Sequence, residues 1–247
     1  MRQLPLIKQP ERNTGPLQTQ WKSHNQTGLS ILYRGRGRPT SLSQTNSPHQ
    51  QLVDTILALS KRGWCDGTGG NFSVVIDTDP LRILMAPSGI DKARVRTDQL
   101  IEVDSKGQVI AGQGQASAET SLHLMLIREM NAKSVLHTHS VTATVVSRYC
   151  AASKEIKIAG LEMLKGLRGI TGHEATITIP IGANDQNINR LSEAGRLVLK
   201  NASFSLLVEG HGLYTWGASL EEARQHTEIT EFLLEVYWRE LLLRTRA

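Results

Sequence analysis

Cysteine is scarce, long apolar runs are missing and the common nucleotide-loop signatures do not occur; each lack removes a class of function. Only Cys65 and Cys150 are found in 247 residues. Two thiols cannot make a disulfide framework in a chain this long, and neither sits in a CxxC pair, so a reducing compartment is expected. No stretch approaches the roughly 18 consecutive apolar residues of a membrane helix. The opening residues, MRQLPLIKQPERNT, also lack the apolar segment of a secretory signal. The expected setting is cytoplasmic, with no membrane partner.

Acidic charge is nearly missing from one region. Residues 1–48 carry seven basic side chains (Arg2, Lys8, Arg12, Lys22, Arg34, Arg36 and Arg38) against Glu11, whereas the other 199 residues hold 21 basic and 22 acidic groups. The formal net charge of +5 therefore belongs to the N-terminal segment. A specific nucleic-acid reader gathers Lys and Arg on one face of its fold, so no nucleic-acid partner is expected. Residues 1–48 are rich in Gln, Asn, Thr, Ser, Gly and Pro and show no apolar period of 2 or 3.6. They cannot bury enough surface to offset the entropy of ordering, and they read as a disordered basic extension.

Order is expected from Ser47-Pro48, an N-cap followed by a proline at the first helical position. The helix carries Leu52, Val53, Ile56, Leu57 and Leu59 on one side and stops at Gly63. FSVVID and RILMAP read as strands, and LIEVD and QVIAG as a hairpin around Ser105-Lys106-Gly107. Helices are expected over 118–130, 141–150, 188–200 and 220–243, and strands over 134–139, 176–179 and 204–208. Residues 49–247 thus form one layered α/β domain with a helix-covered sheet and no internal repeat.

Of eight histidines, His24 and His49 lie in or beside the extension, and His123 and His226 fall in helices, where a structural role suffices. His137-Thr138-His139 differs, because residues i and i+2 of a strand project from one face. Two imidazoles so placed can share a metal ion. A third ligand must come from a distant segment, and His211 is the best candidate, since it follows a strand and is flanked by Gly210 and Gly212. Three neutral nitrogens suit Zn²⁺ and leave a position open for substrate. The alternative is a polar strand end and a turn histidine. Residues Cys65–Ser73 concentrate glycine between a helix and a strand, where bare amides could cradle an anion. They lack a Walker A lysine, and their helix-to-strand order is opposite to a Rossmann fingerprint, so a nucleotide loop is disfavoured and a plain turn stays open.

GNFS, APSGID, SAET before a helix, HTH and EGHG follow one another in the order seen in the class II aldolases. The chain resembles that zinc-dependent superfamily over about residues 49–247. LEMLKGL at 161–167, an IPI strand, and Asn184 and Gln186 beyond it resemble the dehydratase branch, which removes water from 5-methylthioribulose 1-phosphate in methionine salvage. The resemblance implies a single three-layer α/β/α domain with a mixed, mainly antiparallel central sheet. It implies one Zn²⁺ per subunit on His137, His139 and His211. It implies Glu162 as the acid/base, with Glu119 at the position where the aldolases keep theirs. It places Asn71, Ser88 and Gly89 around the substrate phosphate, with Lys165 as an additional cation. The implied partners are a small sugar phosphate and other copies of the chain, as a tetramer with active sites at subunit boundaries. Two rival readings share these motifs. One is a sugar-phosphate aldolase or epimerase that relies on Glu119; the other is a non-enzymatic adducin-like module, against which the three histidines argue.

Overall fold

The computed structural model describes residues 47–244. The expected extension over 1–48 lies outside the described residues except for Ser47 and Pro48, which cap and open the first helix. The Ser47 hydroxyl accepts the Gln50 amide at 3.3 Å, and α1 runs Pro48–Ser60. The remaining helices are α2 (Thr120–Glu129), α3 (Val141–Tyr149), α4 (Ile188–Val198) and α5 (Leu220–Arg244). The strands are β1 (Asn71–Thr78), β2 (Leu81–Met85), β3 (Ile101–Asp104), β4 (Val109–Ala111), β5 (Ser134–Thr138), β6 (Glu155–Ile158), β7 (Ile177–Gly182), β8 (Ser205–Val208) and β9 (Gly212–Gly217).

The strands form one nine-stranded sheet in the order β4-β3-β2-β1-β5-β9-β8-β7-β6. Every neighbouring pair is antiparallel except β7 and β8. Antiparallel strands with side chains alternating between faces need helices on both sides when both faces are apolar. Val135, Tyr214, Trp216, Leu206, Ile83 and Met85 point to the face covered by α2 and α4. Leu136, Leu84 and Phe72 meet α1 on the other face, and Leu207, Leu213 and Ile179 meet α3 and α5 there. This is a three-layer α/β/α domain with a mixed, mainly antiparallel sheet. Leu122 of α2 is fully buried in the first layer; its truncation to Ala is worth about 2–5 kcal/mol.

Two strands are absent from the sequence reading. β6 is only four residues long, directly after Lys154 in a left-handed conformation. β9 begins and ends on glycine, which from sequence reads as loop, yet all six of its residues are buried. Its inclusion puts two strands, β5 and β9, at the centre of the sheet side by side.

Candidate metal centre

His137 and the residues around it take their places from this central pairing. His137 on β5 is in register with Tyr214 on β9 and with Asn71 on β1. Close approach at this end of the sheet requires glycine: a Cβ on Gly212 would stand 2.1 Å from the Thr138 carbonyl oxygen, and one on Gly70 would stand 2.8 Å from that of His137. The His139 amide donates to the Trp64 carbonyl at 2.8 Å, tying the strand end to the glycine-rich loop. His211 closes the tight turn from β8 to β9, its amide donating to the Val208 carbonyl at 3.0 Å.

The three candidate ligands therefore converge. Their ring nitrogens lie within 4.8 Å of one another, with His137 Nε2 2.7 Å from His139 Nε2 and 3.4 Å from His211 Nε2. The Nδ1–H of His137 donates to the Leu213 carbonyl at 3.0 Å, which leaves its Nε2 lone pair facing the other rings. Burial pushes the imidazoles of His137 and His139 below their ordinary pKa, so both are neutral near pH 7. Lone pairs aimed at one point repel one another unless a cation lies between them. The three-nitrogen donor set and the His137 tautomer fit a divalent metal.

Glu119 faces this cluster from the N-cap position of α2. Its Oε1 is 2.9 Å from His211 Nε2 and its Oε2 is 3.6 Å from His137 Nε2. Asn71 Nδ2 donates to Oε2. Burial opposes the charge on Glu119, but the His211 hydrogen bond and the surrounding imidazoles prevail and hold its carboxyl well below the usual range. The helix that the sequence predicts from residue 118 starts at Thr120, and the Glu119 side chain turns to the histidines instead of capping it.

Asn71, Ser88 and Gly89 line one cavity of about 310 Å³, which His139 and Glu119 also border. A second cavity of about 260 Å³ lies past His211 and Glu119, against Asn184 and Gln186. The fold does not bring Glu162 or Lys165 to this centre within one chain. They occupy a short 3₁₀ segment, Glu162–Gly166, with the Glu162 side chain 71% exposed. Its Oε1 is 2.6 Å from Lys165 Nζ, and His173 stands 3.8 Å from its Oε2. The Lys165 ammonium holds the Glu162 carboxyl below the usual range.

Three residues beside the centre went unnoticed in the sequence. Glu231 of α5, 3% exposed, accepts from the hydroxyls of Thr138 at 2.7 Å and Ser140 at 2.6 Å, bracketing His139 from the opposite face of the sheet. Burial raises its carboxyl pKa despite these two donors. Tyr214 stacks on the His137 ring at 3.8 Å and 9°, and its buried hydroxyl stands beside Glu119. Lys92, 1% exposed, lines the first cavity. A signal for Glu231 was present, since it falls with Thr227, Thr230 and Leu234 on the buried stripe of α5. His123 and His226 are structural: the former shares a 2.8 Å hydrogen bond with Ser73, the latter one of 2.7 Å with the Trp216 carbonyl.

Comparison with known proteins places the chain in a family and a fold. Residues 50–238 match the profile of the Class II Aldolase and Adducin N-terminal domain. A methylthioribulose-1-phosphate dehydratase of Xanthomonas campestris pv. campestris strain 8004 is 38% identical over 209 residues, covering 84% of this chain and 95% of that protein. One from Pectobacterium atrosepticum is 40% identical over 208 residues, covering 81% and 98%. Among solved structures, an L-fuculose 1-phosphate aldolase superimposes with a TM-score of 0.67 at 21% identity, over 79% of this chain and 86% of that one. The L-fuculose-1-phosphate aldolase of Thermus thermophilus gives 0.64 at 22% identity, over 80% and 96%. At these identities the structures speak for the fold alone.

Proposed function

The chain belongs to the class II aldolase and adducin family, and from that premise we propose that it is a metal-dependent carbon–oxygen lyase. Its substrate in this reading is 5-methylthioribulose 1-phosphate and its product 2,3-diketo-5-methylthiopentyl 1-phosphate, a step of methionine salvage. The observation that carries the reading is the join of two facts. Relatives named for this dehydration are 38–40% identical over nearly their whole length, and the three-histidine centre they would need is assembled here.

His137, His139 and His211 would hold one Zn²⁺, whose chemistry is to polarise the substrate ketone and stabilise negative charge as the neighbouring proton leaves. The rest of the work belongs to side chains. Asn71, Ser88 and Gly89 hold the phosphate, converting remote binding into orientation of C3. A carboxylate then takes the C3 proton, the C4 hydroxyl departs as water with that proton returned to it, and the resulting enol loses its O–H proton as C4 gains one to become the diketone. Atoms balance with no organic cofactor.

The LEMLKGL segment that carries Glu162 sets the chain apart from the aldolases, which keep their acid/base at the position of Glu119. The position of Glu119 against His211 and His137 suits it to fixing the histidines and the charge at the centre. We assign the transfer to Glu162. Since Glu162 is exposed and remote from the histidines of its own chain, the assignment requires a homo-oligomer in which one copy offers Glu162 to the centre of another. A tetramer of the kind the resemblance implies would supply such a neighbouring copy, with residues 49–247 as the catalytic unit and the basic extension dispensable. Among the described residues no helix is long and apolar enough to cross a membrane, in keeping with a cytoplasmic enzyme.

The placement of Glu119 favours one second reading, a sugar-phosphate aldolase or epimerase that uses the same centre with Glu119 as its acid/base. Incubation of the zinc-loaded protein with 5-methylthioribulose 1-phosphate separates them. A product lighter by one water supports the dehydratase; scission of C3–C4 into a triose phosphate and an aldehyde, or inversion without loss of mass, supports the second reading.

A further inference from the structure

We propose that Lys92 supplies the fixed positive charge of the phosphate site, a role that rests on the reading of this cavity given above. Lys92 is 1% exposed, which makes it one of the largest fully buried side chains of the protein. Its Nζ donates to the carbonyls of Thr68 at 2.9 Å and Ile90 at 3.2 Å. It thereby spans the two walls of the cavity, the glycine-rich loop that leads to Asn71 and the turn that carries Ser88 and Gly89.

The buried ammonium has no ion-paired carboxylate, and burial pushes its pKa below the ordinary lysine value. Asp91, the preceding residue, faces outward: its carboxylate accepts the Ala93 amide at 2.9 Å and lies 3.7 Å from Arg94. Glu119 borders the same cavity but is engaged by Asn71 and His211. Among the described residues no carboxylate lies within ion-pair distance of Lys92. A buried charge is costly unless paired, and two neutral carbonyls satisfy two of its three protons without neutralising it. A phosphate in the cavity provides both the missing acceptor and the missing negative charge. Lys165, the cation the sequence suggested for this task, does not line this cavity within one chain and is paired with Glu162.

The rival role is a mere strut that keeps the two loops together. Lys92→Met, which preserves length and removes the charge, separates the roles in the zinc-loaded protein. Inorganic phosphate is the probe, its affinity read by titration calorimetry or by its protection against thermal unfolding. Loss of a charge-assisted hydrogen bond should weaken phosphate binding about 10- to 100-fold. KM for the phosphorylated substrate should rise by a similar factor, with metal content unchanged and kcat altered far less. Phosphate affinity within about twofold of wild type would overturn the proposal. Should Lys92→Met fail to fold, Lys92→Gln retains a donor for one carbonyl and carries the same expectation; if neither variant folds even in phosphate, Lys92 is a strut and the proposal fails. The outcome is independent of turnover. A wild-type protein that binds phosphate through Lys92 but does not dehydrate the sugar phosphate would refute the substrate assignment and leave the Lys92 site standing.

Discussion

Replacing Glu231 tests whether the far side of the sheet holds the metal centre in shape. The carboxylate is buried and its partners are the hydroxyls of Thr138 and Ser140, on either side of His139. Ser140 also caps α3 by accepting the Ala143 amide at 3.0 Å. Glu231→Ala strands two buried hydroxyls, each costing about 1–3 kcal/mol, partly offset because a buried charge is no longer desolvated. The net loss is about 2–4 kcal/mol, or roughly 5–15 °C in Tm for a domain of this size. His139 loses its bracket, and zinc affinity should fall about 10- to 100-fold, as for other outer partners of metal ligands. Glu231→Gln preserves shape and hydrogen bonding, since either hydroxyl can turn to accept from the amide, and should restore most of both. Burial raises the Glu231 pKa in the folded state, so the folded protein holds this proton more tightly than the unfolded chain does. The resulting stability is fully present below the ordinary carboxylate range and is lost as pH rises through the folded-state value. Glu231→Gln lacks that loss and should gain stability relative to wild type as pH rises from about 4.5 to 7. Zinc titrations and urea unfolding at several pH values read both effects. Wild-type zinc affinity in a folded Glu231→Ala protein would refute the positioning argument.

His139→Ala should abolish stoichiometric zinc and activity together, as measured by elemental analysis and turnover; a variant with full metal content would remove His139 from the ligand set. Glu162→Gln should reduce turnover by roughly 10²–10⁴ with zinc content intact, and a mixture with an inactive His139→Ala protein should recover part of the rate if the glutamate acts across subunits. Under the aldolase reading the loss follows Glu119→Gln and Glu162→Gln is nearly silent. Acid should destabilise the metal-free protein, because burial depresses the pKa of His137 and His139 in the folded state. Their contribution is complete above about pH 6.5 and is lost as pH falls toward the folded-state values, where the unfolded chain takes up more protons. Urea midpoints that rise between about pH 7 and 5.5 in the metal-free protein would contradict this.

The helices and most strands were legible because each carries its own apolar period. α1 shows a capped start and a buried stripe at Leu52, Val53, Ile56 and Leu59, and β5 is a short apolar run between polar turns. β9 was not legible, because its evidence is tertiary. Gly212 is small so that β9 can pass within contact of the Thr138 backbone, and Tyr214 and Trp216 are buried by helices distant in sequence. A glycine that serves close approach and a glycine that serves a turn look alike in one dimension.

The same distinction explains the site. His137, His139 and Glu119 stood out because their spacing or their motif is local, whereas the cation of the anion cavity did not. From sequence alone a lysine defaults to the surface, and both Lys92 and Lys165 were open to that reading; only the fold shows that the first is enclosed and the second solvated. Glu231 was hidden for a related reason. The stripe of α5 places Glu231 inside, but nothing local names its hydroxyl partners, which lie 93 and 91 residues away. The same-face pair His137 and His139 is written locally, and residues that hold it in place are recruited from wherever the sheet brings helices against them. The supporting residues are therefore where sequence reading falls short, and a variant such as Glu231→Ala, distant in sequence and behind the sheet, should disturb zinc more than most substitutions on the cavity rim.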